Sequence, residues 1–134
     1  MGAESRLKEL SIVLPELQKP VANYLPYRLV GNVLYLAGQG PRDSKGVQLT
    51  GKLGVDISIE EGYRRARLVG LGLLAAMRDA LGSLDRVDFI VKLLGMSTPH
   101  RISTTRPKSS TAVPICLLKC SAKQAATPAQ RSAT

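Results

Sequence analysis

The spacing of apolar and polar residues changes several times along this chain, and each change predicts a new element. Glu4–Leu10 has helical spacing and is followed by Pro15, which stops a helix. Leu25–Leu29 is expected to be extended, because Pro26 biases the residue before it towards the β region. A turn is then expected at Gly31–Asn32.

Two later segments are apolar at nearly every position, which is typical of strands that are covered on both faces. The first is Asn32–Gly38, which precedes a loop rich in turn residues. The second is Val87–Met96, apolar on both faces beyond Asp88. Lys92 lies inside this second segment. It is expected at an edge or surface position, and the alternative is a contact with a ligand.

The region between these strands predicts one long helix, Ser58–Leu81. Ser58 and Glu61 have the spacing of a capping box, and Gly82 is expected to end the helix. Small or apolar residues recur at steps of three and four and form one stripe: Tyr63, Ala66, Gly70, Leu73, Leu74, Met77 and Leu81. Strands followed by a long helix and another strand predict an α+β fold, with the helix packed on one face of a sheet.

Charged residues in the first half of this helix allow two interpretations. Glu60 with Arg64, and Glu61 with Arg65, are spaced for i,i+4 ion pairs. The basic cluster that includes Arg67 could instead contact phosphates. We favour a solvated helix face with salt bridges.

Several familiar sites are not supported by the residues present. Gly38, Gly40 and Gly46 lack the spacing of a dinucleotide-binding loop, and Gly51-Lys52 is not followed by Ser or Thr. The chain has one histidine and two cysteines. We therefore expect no Ser/His/Asp set in the first 96 residues and no metal site.

Composition divides the chain after Met96. Ser97–Thr134 contains no acidic residue, glycine or aromatic residue, but has six Ser, six Thr, four Pro and six Lys or Arg. The net charge of +9 therefore comes mainly from this segment. No apolar run is long enough to span a bilayer, and the charged N-terminus does not resemble a secretory signal. We expect a cytoplasmic protein with no membrane partner.

Three phrases carry a resemblance to a known family: PVANYLPYRLVGNVLYLAGQGPRD, GKLGVDISIEEGYRRARLVGLGLLAAMRDALGSLDRV and FIVKLLGM. Over about residues 4–96 the chain resembles the RidA/YjgF family, also labelled endoribonuclease L-PSP, and in particular its bacterial branch with an N-terminal ESRLKEL-type segment. The resemblance implies a chorismate-mutase-like α+β fold, a homotrimer, and small-molecule ligands in clefts between subunits. It also implies hydrolysis of reactive enamines and imines to ketones and ammonia, without a cofactor.

The resemblance further implies which residues contact the ligand. Tyr24 matches the tyrosine of the family's cleft, and Gly38 and Gln39 match its Gly-Gln. Ala37 stands where many members have serine, so a hydroxyl is lost. The family's substrate-binding arginine and its C-terminal acid are not recognisable here. We therefore assign Tyr24, Ala37, Gly38 and Gln39 to substrate binding and assign no catalytic residue, which leaves it open whether this chain is an enzyme.

The second half of the family pattern is missing after Met96. This predicts a frame-shift in the coding DNA at that point. If one base were lost after the Met96 codon, each family codon would end with the first two bases of the codon now read. Under that rule Lys119–Ala133 permits the family-like sequence EVFGEAGRHARSAVG at every position. Residues 1–96 are then the N-terminal part of a RidA/YjgF-like domain with an incomplete sheet. Residues 97–134 are an aberrant, largely disordered tail, in which Cys116 and Cys120 have no selected role.

Three functions remain open at this point. The first is the family activity, enamine or imine deamination, with this chain lacking the catalytic half. The second is a non-catalytic trimer that binds a small ligand in the same cleft. The third is nonspecific RNA binding or endoribonuclease-type activity. A nucleic-acid partner is disfavoured because the basic tail has no aromatic residue to stack on bases.

Overall fold

The computed structural model describes residues 2–17 and 22–96. Every expectation about Ser97–Thr134, including its disorder and its cysteines, lies outside the described residues. The described part contains two α-helices, a two-stranded sheet and one 3-10 helix. In chain order these are α1 (Ala3–Glu9), β1 (Tyr27–Val30), β2 (Val33–Leu36), α2 (Ile59–Leu81) and the 3-10 helix (Leu84–Arg86).

β1 and β2 form an antiparallel hairpin. Val30 pairs with Val33 next to the turn, and Tyr27 pairs with Leu36 at the open end. Gly31 occupies the turn with φ of 56°, a conformation that glycine adopts at little cost. The predicted turn and second strand are therefore confirmed, and the first strand begins two residues later than the predicted extended segment.

The two faces of the hairpin differ in burial. Leu34 and Leu36 on one face pack against the core below them. The other face carries Val30, Val33 and Tyr35, and the Tyr35 side chain is 61% exposed. The expectation that both faces of β2 are covered is wrong for the described residues. α2 is the long helix among them, and one helix stripe can cover a single face of a sheet.

α2 begins and ends where the sequence predicts. The Ser58 hydroxyl accepts a hydrogen bond of 3.1 Å from the Glu61 amide, and Gly82 ends the helix with φ of 77°. The Glu61 carboxylate turns to Arg64 and Arg65 rather than back to Ser58, so the second half of the predicted capping box is not formed. The predicted α+β arrangement, a helix packed on one face of a sheet, is confirmed.

The buried core lies at the C-terminal half of α2. Its buried members come from three elements: Leu7 of α1, Leu73, Leu74 and Met77 of α2, and Leu84 of the 3-10 helix. The predicted apolar stripe is thus confirmed in its second half, whereas Tyr63 near the start of α2 is exposed. α1, β2 and the 3-10 helix therefore meet on one surface of α2.

Val87–Met96 does not form the predicted strand. Every third residue is partly buried against the core: Val87, Ile90 and Leu93. Intervening apolar residues such as Phe89, Val91 and Leu94 are exposed. A strand needs a neighbouring strand for its backbone hydrogen bonds, and in the described part of the chain β1 and β2 pair with each other. Lys92 is exposed, in agreement with the expected surface position.

Among the residues that the structure describes, neither α1 nor α2 combines the length and apolar character needed to cross a membrane.

Candidate functional site

The open end of the hairpin brings together the two segments that carry the expected ligand-binding residues. The Ala37 amide donates a hydrogen bond of 2.9 Å to the Pro26 carbonyl, one position beyond the Tyr27–Leu36 pair. The chain before β1 and the chain after β2 therefore leave the sheet at the same end. Tyr24 lies two residues before Pro26, and Gln39 lies two residues after Ala37.

Tyr24 is available at this end of the sheet. Its segment is a bend in which the Tyr24 amide donates to the Ala22 carbonyl at 2.9 Å. The Tyr24 residue is 50% exposed. A phenol can both donate and accept a hydrogen bond, so Tyr24 could contact a small polar ligand through its ring and its hydroxyl.

The chain after β2 crosses the middle of α2. A Cβ atom placed on Gly72 would lie 3.9 Å from Gln39 Oε1, so the Gln39 side chain lies close to the helix there. Gly38 is exposed and faces open space, while Ala37 and Gln39 are half-buried. The Gln39 carboxamide offers both donors and an acceptor beside this open backbone.

The loop that follows is organised by its own polar side chains. The Asp43 carboxylate accepts hydrogen bonds from the Lys45 and Val47 amides at 2.9 and 2.8 Å. The Arg42 guanidinium donates to the Gly46 carbonyl at 3.0 Å. Gly46 has φ of 81°, which favours glycine. This supports the interpretation of Gly46 as a turn residue rather than part of a phosphate-binding loop.

The basic residues at the start of α2 are largely engaged. The Glu61 carboxylate accepts bonds of 2.7 and 2.8 Å from Arg64 and one of 2.7 Å from Arg65. These hydrogen bonds, with that from Arg64 the largest, lower the pKa of Glu61 to about 2. The predicted Glu61–Arg65 pair is confirmed. The predicted Glu60–Arg64 pair is wrong, because Arg64 binds Glu61 one residue closer along the helix.

Arg65 also joins the loop to the helix. Its Nη1 donates to the Thr50 carbonyl at 2.8 Å, and its side chain is mostly buried. A guanidinium that is committed to Glu61 and to Thr50 is poorly placed to bind a phosphate. The interpretation of this cluster as a salt-bridged helix face is therefore favoured over a phosphate site.

Two side-chain contacts that shape this region were not expected from the sequence. Tyr27 donates to Asp79 at 2.7 Å across 52 positions, and Arg78 forms a two-point ion pair with Glu4 across 74 positions. Nothing in the local spacing of these residues predicts such pairs, because sequence patterns report on neighbours within a few residues.

Within residues 2–17 and 22–96, no three His, Cys, Asp or Glu side chains lie together in a way that could bind an ion. The expected contact residues offer a phenol, a carboxamide and open backbone. Such groups can position a small polar ligand by hydrogen bonds.

Comparison with known proteins agrees with this architecture. The chain matches, over residues 4–126, the family described as "YjgF/chorismate_mutase-like, putative endoribonuclease". The match extends further than the resemblance described for residues 4–96. The frame-shift proposed for Ser97–Thr134 remains a prediction.

Individual relatives show the same likeness. The Trypanosoma cruzi protein TCP17 is 39% identical over 89 residues, which cover 66% of this chain and 56% of that protein. The chain therefore spans little more than half the length of this relative.

Two solved structures are also similar. A Shewanella oneidensis protein described as a putative endoribonuclease is 35% identical, with a TM-score of 0.83 over 90% of this chain and 80% of its own. An Agrobacterium tumefaciens protein of unknown function is 30% identical, with a TM-score of 0.75 over 88% of this chain and 73% of its own. By fold and by sequence, the chain belongs to the YjgF/chorismate mutase-like family.

Proposed function

We propose that the open end of the hairpin is the ligand-binding edge of an enamine or imine deaminase fold, formed by Tyr24 and by Ala37–Gln39. The observation that carries the proposal is the hydrogen bond between the Ala37 amide and the Pro26 carbonyl, which holds the two segments at one end of the sheet. In the family reaction, water adds to the C=N carbon of an imine. The products are the ketone and ammonia, and no redox partner is needed.

The groups at this edge would bind and orient the ligand. The Tyr24 phenol and the Gln39 carboxamide could hydrogen-bond to a polar substituent, while the open backbone at Gly38 allows close approach. A guanidinium binds a carboxylate in a two-point geometry that these groups do not imitate. We therefore propose that this chain binds a ligand at the edge but does not itself hydrolyse it efficiently.

We propose a homotrimer in which subunit contacts cover the outer face of the hairpin. Support comes from the exposed apolar side chains of Val30, Val33 and Tyr35, which α2 does not reach. Apolar side chains gathered on one face favour association. Light scattering coupled to size-exclusion chromatography tests this proposal. A monomer at micromolar concentration would contradict it.

The frame-shift is tested at the level of the gene and of the protein. Sequencing the coding DNA should reveal a one-base restoration after the Met96 codon that yields the family-like second half. An intact frame without such a restoration would sink the idea. If the restoration exists, both chains can be made and compared directly.

The deaminase proposal is tested with an imine generated in situ from an amino acid by an amino acid oxidase. The restored chain should accelerate the formation of the keto product and ammonia above the uncatalysed rate, and the present chain should do so much less. Tyr24→Phe and Gln39→Ala should weaken the restored activity. Tyr63→Phe is a matched control at the start of α2, away from the edge. An unaltered rate in the first two variants would exclude the proposed edge.

A non-catalytic binding function is the second candidate. It is favoured by Ala37, which lacks the serine hydroxyl found in many members. In that case the restored chain would bind imine-like or keto-acid ligands in calorimetry without accelerating hydrolysis. The endoribonuclease description of the family match suggests a further assay, RNA cleavage by the chain with and without Ser97–Thr134. The engagement of Arg64 and Arg65 by Glu61 argues against RNA binding at α2.

A further inference from the structure

We propose that α1 is a detachable strap, which docks on and leaves the rest of the fold as a unit, and that Glu4 and Asp85 hold it closed. None of these residues is among those assigned to the ligand-binding edge above. α1 is held by contacts with α2 and with the 3-10 helix, and these contacts do not depend on the deaminase proposal.

α1 is too short to be stable on its own. It has seven residues, and its N-cap residue, Gly2, provides no side-chain cap. Isolated helices shorter than about 12–15 residues are marginally stable in water. The free-energy cost of nucleating such a helix exceeds the stabilisation that one or two turns provide. α1 therefore has little reason to remain helical once it leaves the surface of α2, so docking and helix formation are coupled.

A residue distant in sequence caps α1. Asp85 Oδ1 accepts a hydrogen bond of 3.0 Å from the Glu4 amide, across 81 positions. The Asp85 carboxylate lies so close to Gly2 that an added Cβ would overlap Oδ1. A side chain at this position would therefore push the Asp85 carboxylate aside. Since the cap comes from the 3-10 helix, it is lost as soon as α1 moves away.

The Glu4 side chain contacts the two elements beneath α1. Its two oxygens accept bonds of 3.0 and 2.6 Å from Arg78 on α2, and Oε1 also accepts one of 3.1 Å from the Leu84 amide. Charge-assisted bonds of this kind are stronger than neutral ones. One carboxylate thus connects α1 to both elements beneath it.

The strap covers part of the apolar core. Leu7 is only 2% exposed and packs with Leu73, Leu74, Met77 and Leu84. Ile12 and Leu14, just after α1, pack partly against the same cluster. Release of the strap would uncover an apolar surface on α2 that is otherwise continuous with the core. Whether that surface is exposed to solvent thus depends on Leu7 and on the carboxylates of Glu4 and Asp85.

Limited proteolysis tests the strap because α1 contains a trypsin site after Arg6. Cleavage needs a locally unfolded segment, so its rate reports the open population. The full chain, Glu4→Gln and Asp85→Ala are compared by mass spectrometry. Each rate after Arg6 is divided by that of a peptide of residues 1–15 with the same sequence, which removes direct effects on the protease. Cleavage after Arg64 and Arg65 in α2 serves as the internal reference.

We expect cleavage after Arg6 to rise about tenfold in Glu4→Gln and in Asp85→Ala, given the usual strength of hydrogen bonds to charged groups. Cleavage within α2 should stay unchanged. Glu9→Gln, which removes the Arg6–Glu9 pair on the outer surface of α1, should have little effect. An unchanged rate after Arg6 in both variants would overturn the proposal. So would an equal rise at the α2 sites, because α1 would then open only with the whole fold.

Discussion

Tyr27 Oη donates a hydrogen bond of 2.7 Å to Asp79 Oδ2, and this bond ties the first residue of β1 to the last turn of α2. The hydrogen bond raises the pKa of Tyr27, with smaller contributions from partial burial and from the charge of Asp79. The phenol is therefore held protonated beyond its ordinary range. The same contact orients the hairpin, whose open end carries the expected ligand-binding residues.

This contact predicts an alkaline loss of stability. Because the folded-state pKa of Tyr27 is raised above the ordinary value of 10.0, its contribution is complete below pH 10 and is lost as the pH rises through the folded pKa. Tyr27→Phe should have a lower free energy of unfolding than the parent at pH 7. This difference should close at strongly alkaline pH. Urea midpoints across this range measure it. Tyr35→Phe, on the exposed face, is the control, and a gap that stays constant with pH would contradict the prediction.

Glu61 is expected to show the opposite pH dependence, with a loss of stability at acidic pH. Its pKa is lowered from 4.5 to about 2, so its contribution is present above pH 4.5 and is lost as the pH falls through about 2. Glu61→Gln should therefore have a lower free energy of unfolding than the parent at neutral pH, and this difference should have largely closed by pH 2. Added salt should narrow this difference, because the Arg64 side chain of one of the two ion pairs is exposed.

Glu60→Gln provides the matched control for Glu61, since it removes the same charge from the same helical turn. Urea midpoints at pH 7, pH 4 and pH 2 decide between the two residues. If both variants lost equal stability at neutral pH, the effect would come from the helix dipole rather than from the arginine pairs.

Leu84 lies in the core beneath α1 and is 2% exposed. Truncating its side chain is expected to have a large effect on stability. Leu84→Ala should lower the free energy of unfolding by about 2–5 kcal/mol, because it removes transfer energy and leaves a cavity. Leu94→Ala makes the same chemical change at a residue that is 73% exposed, and should cost at most about 0.5 kcal/mol. Chemical denaturation of both variants measures the difference. Equal losses would place the core elsewhere.

Gly82 ends α2 with φ of 77°. A substitution there is expected to lower stability through the backbone conformation. Gly82→Ala should lower the free energy of unfolding by about 1–2 kcal/mol, since an L-residue pays a steric cost in the left-handed region. Gly95→Ala is the control, because an added Cβ there meets open space and no left-handed backbone is involved. Thermal and urea unfolding provide the measurement, and a neutral Gly82→Ala would show that the helix end can rearrange.

Local patterns were sufficient for some elements and not for others. The helix of Ser58–Leu81 was predictable because its cap, its stripe and its terminal glycine all lie within a few residues of one another. The segment Val87–Met96 was predicted as a strand from its apolar composition alone, and it has no strand partner in the described residues. Strand formation depends on a neighbour that composition cannot supply.

The candidate site shows the same division. The family phrases identified Tyr24 and Ala37–Gln39, but their assignment to one site is still a prediction. The contact between Ala37 and Pro26 places both segments at one end of the hairpin, which gives that assignment a physical basis. The position of Gln39 beside Gly72 could not be anticipated, because it depends on how the hairpin packs on α2.

The amino-acid sequence by itself determined the helices, the hairpin turn and the family, because each depends on residues close together in the chain. Only the tertiary structure decided that Glu4 binds Arg78, that Asp85 caps α1 and that one face of the hairpin stays exposed. These relationships join residues up to 81 positions apart. They arise because packing the apolar stripe of α2 brings those polar groups to the same place, where each finds a partner of opposite charge or hydrogen-bonding character.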